Sequence, residues 1–172
     1  MKYNNRNIKR RLYQFTLIGN HLSRMKHFRG HGVHSPFVYG LVRNVFMSRK
    51  NEALPCSAFV SELINADVSQ RRALQIEGAM TYCNATQYAI DNIDCNAEFC
   101  VLSLHTDTQN IEKAYNNAQT NGSTLVVCQP YADGNRMQEC LRLIDLHTST
   151  SVDNRAYIIF FNNKLPKQHF RL

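Results

Sequence analysis

Two nearly unbroken apolar runs constrain this chain most: Phe-Cys-Val-Leu-Ser-Leu at 99–104 and Thr-Leu-Val-Val-Cys at 124–128. A strand with one wet face alternates apolar and polar residues, so runs this continuous predict strands covered on both faces. The stretch between them reads as a helix. Asp107 or Thr108 supplies the N-cap, Ile111, Ala114, Tyr115 and Ala118 form one face, and Asn121-Gly122 stops it. Strand, helix, strand with both strands buried is the unit of a parallel α/β sheet.

The rest of the chain extends that unit. Residues 137–146 predict a helix carrying Met137, Cys140, Leu141 and Ile144. Residues 148–153 and 156–162 predict two strands, and Asp153-Asn154-Arg155 between them predicts a hairpin. A basic tail, 164–170, follows. Upstream, Ala73-Leu74-Gln75-Ile76-Glu77-Gly78 reads as an apolar strand ending at a glycine turn, with a helix over 81–92 after it. In doubly wound folds such a turn is where a nucleotide or nucleoside docks, which makes Glu77, Gly78 and Thr81 the candidate cofactor-binding residues.

Before that core lie helices. Residues 6–26 carry Ile8, Leu12, Phe15, Leu22 and Met25 at helical steps, with Arg6, Lys9, Arg10 and Arg24 on other faces. Ser35-Pro36 is an N-cap followed by a proline suited to the first helical position, and a helix is expected from there to about residue 47. Another helix begins at Cys56 or Ser57, with Phe59, Val60, Leu63 and Ile64 inward. His31, His34 and Ser35 stand at a helix N-terminus, where an anion or substrate contact is one reading and a structural loop the other. The two histidines have no third ligand at a fixed spacing, so no metal site is expected.

The net charge of +7 is unevenly placed: residues 1–51 hold eleven Lys or Arg and no Asp or Glu. A solvated helix face is one reading of this arm; contact with a polyanion, either nucleic acid or an anionic surface, through residues 1–50 is another. At 44% hydrophobic and 19% charged the composition excludes collagen-like and low-complexity classes. No apolar run approaches the roughly 20 residues that span a bilayer, so no transmembrane segment is expected. The six cysteines contain no C-x-x-C pair, and the start lacks a signal-peptide pattern; reduced cysteines and a cytoplasmic location are the expectation.

His31-Gly32-Val33-His34-Ser35-Pro36-Phe37-Val38, together with the ending Ile158-Ile159-Phe160-Phe161-Asn162 and the segment from Lys164 to Phe170, resembles a bacterial family of class I S-adenosylmethionine (SAM)-dependent methyltransferase-like proteins. Its members carry an H-G-[VI]-H-S-P-F-V segment, a core opening L-E-[LI]-G-x-x-x-G, and an I-V-F-F-R strand with a K-x-x-x-x-H-F tail. The resemblance implies a reduced Rossmann-like, mostly parallel sheet of about five strands with a C-terminal antiparallel strand, preceded by N-terminal helices. It divides one structural domain into a basic helical extension over 1–70 and a shortened α/β core over 71–172.

Departures from the family pattern bear on function. Only Gly78 survives of the glycine turn, and Glu77, Met80 and Tyr82 put bulk and charge into it. Two central strands with their helices are missing. Gln129-Pro130 stands where the family has an acidic pair, and His105 stands where it has a carboxylate. The resemblance therefore implies a degenerate, non-catalytic binding or interaction scaffold. The alternatives are an active SAM-dependent methyltransferase with His105 and Asp107 as catalytic candidates, and a nucleic-acid or anionic-surface binder acting through the arm. SAM is the only cofactor implied. Loss of the central strands would expose a sheet edge, through which a homodimer could form.

Overall fold

A computed structural model of the chain describes residues 35–47, 56–94 and 96–172. The expectations placed on the helix over 6–26, on His31 and His34, and on most of the basic arm lie outside these residues.

The described chain is α/β. Helices α1 (Pro36–Leu41, widening into a π-helical turn over Val42–Phe46), α2 (Ala58–Asn65) and α3 (Gln70–Tyr82) come first. Strands β1 (Tyr88–Ile90) and β2 (Phe99–Leu102) follow, then α4 (Thr108–Asn121), β3 (Thr124–Cys128) and α5 (Gly134–Leu146). The chain ends in β4 (Thr150–Asp153), β5 (Tyr157–Phe160) and β6 (Gln168–Arg171). The six strands form one sheet in the order β1-β2-β3-β5-β4-β6. Its β1–β2, β2–β3 and β4–β6 pairs are parallel; β5 is antiparallel to both β3 and β4.

The sheet is a middle layer. Phe99, Val101, Val126, Cys128, Tyr157, Ile159 and Phe161 face the α1–α3 side and share one apolar cluster with Val38, Leu41, Leu63 and Ile76. Cys100, Leu102, Leu125, Val127, Ile158 and Phe160 face the other way, onto α4 and α5. Both faces are covered, which is why the strand sequences run apolar without interruption.

Local chemistry explains the elements that match expectation. The Ser35 hydroxyl caps α1 by accepting from Val38 N at 3.4 Å, and the Ser57 hydroxyl caps α2 by accepting from Val60 N at 3.1 Å. Asp133 caps α5, accepting from Arg136 N at 2.9 Å, so that helix begins three residues before the expected Met137. Gly122 at φ +70° closes α4 in the left-handed region.

Three expectations are corrected. The stretch around 73–78 is the interior of α3, not a strand. Ala73, Ile76 and Ala79 recur at three-residue steps and all are fully buried against α1 and α2. A short apolar run fits either period, and here packing on the neighbouring helices selects the helical one. The helix expected over 81–92 is likewise absent. Asn84 at φ +56° ends α3, with Ala85 N donating back to Met80 O at 3.1 Å, and β1 follows at 88–90. The sheet therefore begins after Tyr82, and the expected division at 70/71 falls at the start of the third helix instead. Finally, the basic tail is a sixth strand. β6 pairs in parallel with β4, and Ser151 Oγ meets His169 Nδ1 at 2.9 Å. The expected sheet edge exists, but it is formed by β1, which pairs only with β2 among the described residues.

No described helix is long and apolar enough to cross a membrane. Cys100 is disulfide-bonded, which departs from the expectation that all cysteines are reduced; Cys56, Cys83, Cys128 and Cys140 are free thiols.

Candidate functional site

The carboxyl ends of β1, β2, β3 and β4 all open on one side of the sheet, where ligands of α/β folds usually bind. That side divides into two regions of different character.

The first is a polar knot across β1, β2 and β3. The chain leaves β1 at Asp91, which has φ +52°. Its Oδ1 accepts from Ser103 N at 2.7 Å and Thr106 Oγ1 at 2.6 Å, and its Oδ2 accepts from Ser103 Oγ at 2.6 Å. From α5, Arg136 reaches the same place and is only 2% exposed. Its guanidinium donates to Thr106 O at 2.9 Å, Ser103 O at 2.8 Å and Cys128 O at 3.0 Å. Buried charge is tolerated when its donors are all placed, and these three carbonyls take the fork of the guanidinium. Burial lowers the Arg136 pKa, while the nearby Cys140, Cys128, Asp133 and Asp91 act the other way. The adjacent thiols are inert: burial pushes Cys128 and Cys140 each up to about 12, despite the guanidinium.

The second region is a cavity of about 440 Å³ over the ends of β3 and β4 and the start of β5. Its walls include the α2–α3 turn with Asp67 and Ser69, Arg72 in the first turn of α3, and Gln129, Asn154 and Tyr157 from the sheet side. Tyr157 is 1% exposed, and its hydroxyl is sealed from solvent beside the Asn154 side chain. Burial holds the phenol well above its ordinary pKa, so it stays protonated, while the Arg72 charge and the Asn154 side chain pull the other way. Arg72 is half-buried, and its Nη1 donates at 2.7 Å to a neutral amide, Gln75 Oε1. Tyr131, also on the wall, donates at 2.5 Å to Asp153 Oδ2.

The residues expected from sequence are scattered over these regions. His105 follows β2 and is exposed, with Nε2 3.5 Å from Asp67 Oδ2 at the cavity wall. Asp107 is the N-cap of α4 and lines a separate, open cleft with Glu112, Glu139 and Arg142. Asp107 thus lines the open cleft, while His105 faces Asp67 and lines neither cavity. Glu77, Gly78 and Thr81 lie along α3 and line neither cavity. Glu77 accepts from Ser57 Oγ at 2.6 Å, Gly78 is buried, and Thr81 Oγ1 donates to Glu77 O at 3.0 Å. A nucleoside turn needs glycines between a strand end and a helix start; at the end of β1 the sequence is Asp91-Asn92-Ile93-Asp94, and the one acidic group at the strand end is engaged by three donors. The residues present therefore do not fit a SAM site of the expected kind. Ser35 is a helix cap. Among the described residues no His, Cys, Asp and Glu group could hold a metal ion.

Arg136, Arg72 and Tyr157 were not singled out in the sequence. For Arg136 a signal existed, since Asp133 three residues earlier marks a helix start that would aim the side chain at the strand ends. For Arg72 and Tyr157 no linear signal exists, because they meet only through the packing of α3 on the sheet.

No known protein family matches the sequence, no curated protein matches it, and no solved structure matches the fold.

Proposed function

We propose that this chain is a non-catalytic binding protein built on a reduced methyltransferase-like scaffold. The observation that carries the reading is the state of Asp91. It stands at the carboxyl end of β1, and three donors from Ser103 and Thr106 occupy its carboxylate. A group so engaged holds loops together and has little left to offer a ribose. The mostly parallel sheet is compatible with that ancestry, although the antiparallel strand is β5 and the C-terminal strand β6 runs parallel to β4. The buried thiols of Cys128 and Cys140, raised to about 12, are not activated nucleophiles.

Calorimetric titration with SAM and with S-adenosylhomocysteine tests it. The expected outcome is no heat from a folded sample. Binding at micromolar strength, about −8 kcal/mol, would overturn the reading and favour the active methyltransferase. A homodimer through the β1 edge belongs to the same proposal, since an edge strand offers unpaired backbone groups. Its measurement is light scattering on the eluting protein.

A second reading rests on charge. The eleven cations and no carboxylates of residues 1–51 suit a polyanion. Steep loss of nucleic-acid binding with rising salt would support it, and no retention on an anionic matrix would remove it.

A further inference from the structure

We infer that a disulfide between Cys95 and Cys100 clasps the connection from β1 to β2, and that its reduction by a dithiol releases the β1 edge of the sheet. This stands apart from the reading of the scaffold above, since it needs neither SAM nor its absence.

The pairing follows from elimination and from the placement of the neighbours. The chain has six cysteines, at 56, 83, 95, 100, 128 and 140. Cys100 is disulfide-bonded, while Cys56, Cys83, Cys128 and Cys140 are free thiols. Cys95, which lies outside the described residues, is therefore the partner within the chain. The described residues on either side of it agree. Ala97 O lies 3.6 Å from Cys100 Sγ. Asn117 Nδ2 of α4 donates to Ile93 O at 2.9 Å, and Ser123 Oγ donates to Ala97 O at 2.6 Å. Ile93 and Ala97 pack on the apolar cluster that contains Cys100. The connection thus crosses the α4 face of the sheet, the face onto which Cys100 points.

Chain length explains why this connection needs a clasp. β1 and β2 are parallel neighbours, yet residues 91–98 alone join them. Parallel crossovers ordinarily take about a dozen residues or more and carry a helix. With no helix to bury, this one is held by point contacts. Asp91 fixes its start through Ser103 and Thr106. Glu98 fixes its end, accepting from Thr86 N at 2.6 Å and Gln87 N at 3.2 Å. Between them the ion pair of Lys113 with Asp94 is exposed and holds weakly. A disulfide supplies a covalent tie in the middle.

The same shortness makes the bond a local device. The stabilisation that a disulfide gives a whole fold grows with the loop it closes, and this loop is among the shortest. β1 is three residues long and pairs only with β2 among the described residues. Loss of the tie therefore falls on β1 and not on β3 or β5, which are paired on both sides. The exchange balances: the dithiol passes two electrons and two protons to the cysteine pair, the S–S bond breaks into two thiols, and the dithiol closes to its own disulfide.

The test uses the full chain, with thiols alkylated at lysis and no reductant added. Cleavage after Glu98 separates the two cysteines in sequence. The expected result is a disulfide-linked pair of peptides holding Cys95 and Cys100, with the other four cysteines alkylated. Alkylation of both residues overturns the bond, and linkage of Cys100 to any other cysteine overturns the pairing. Hydrogen exchange before and after dithiothreitol then tests the release. Asp91 N donates to Val101 O at 2.9 Å and Phe99 N to Gln87 O at 3.1 Å, so these amides report the join of β1 to β2. Both should exchange about tenfold faster or more once reduced, while Val126 and Ile159 stay protected. Cys95→Ser should show the fast pattern without reductant, and Cys83→Ser should keep the response of the parent chain. Unchanged exchange at Asp91 and Phe99 on reduction overturns the clasp. Equal acceleration at Val126 and Ile159 overturns its confinement to the edge.

Discussion

Two neighbouring regions at one end of the same sheet treat their polar groups in opposite ways. Across β1, β2 and β3, Asp91 and Arg136 spend their bonding capacity on Ser103, Thr106 and Cys128. Over β3, β4 and β5, Arg72 stands half-buried at a cavity wall and donates to the neutral Gln75 amide. The first arrangement stabilises loops. The second leaves a cation in partial contact with solvent.

The comparison can be broken most sharply at Arg136. Arg136→Met should destabilise the protein by about 3 kcal/mol or more, because three buried carbonyls lose their donor. Denaturant unfolding measures it, and a loss under about 1 kcal/mol would mean the knot is not structural. Asp91→Ala should cost about 2 kcal/mol by the same measurement, since a backbone N–H and two hydroxyls lose a charged acceptor.

A pH prediction comes from His147, buried in the α5–β4 connection with its Nδ1 3.0 Å from Tyr115 Oη. Burial, with a smaller contribution from the Lys167 charge, lowers its pKa in the folded state, against the backbone groups of Phe161 and Thr150. The unfolded chain then binds a proton near its ordinary pKa of about 6.5 while the folded chain does not. Stability is therefore full above that pH and falls as the pH drops below it, at up to about 1.4 kcal/mol per pH unit, until the folded histidine also protonates. His147→Gln should flatten that part of the profile.

The finest contrast lies between two buried phenols. Tyr115→Phe should cost about 1 kcal/mol, because it removes the bond to His147. Tyr157→Phe should cost less, about 0.5 kcal/mol, because the Asn154 side chain is all that engages its hydroxyl among the described residues. Equal losses in the pair would show that Asn154 holds Tyr157 as firmly as His147 holds Tyr115.

Legibility from sequence differed by element for physical reasons. β2, β3, α4 and α5 were readable because continuous apolar runs and capping residues are local signals. Residues 73–78 were not, because a six-residue apolar run contains too little periodicity to tell a strand from a helix. Reading that run as strand 1 also carried the expected cofactor site onto Glu77, Gly78 and Thr81. The chain enters the sheet only after α3 has ended, at Tyr88, where aromatic and branched residues follow the left-handed Asn84. The tail from Lys164 to Phe170 was read by its charge, yet it joins the sheet because β4 presents an open parallel edge to it.

By itself the amino-acid order determined an α/β chain with a doubly covered sheet, capped helices and a strongly basic start. These are properties of neighbours in sequence, set by period, cap and charge. Only the tertiary structure decided that α3 is a helix, that Arg136 closes the strand ends, and that Arg72 and Tyr157 share a cavity. Those outcomes depend on residues tens of positions apart, and burial against a distant partner, not local preference, supplies the free energy that selects among them.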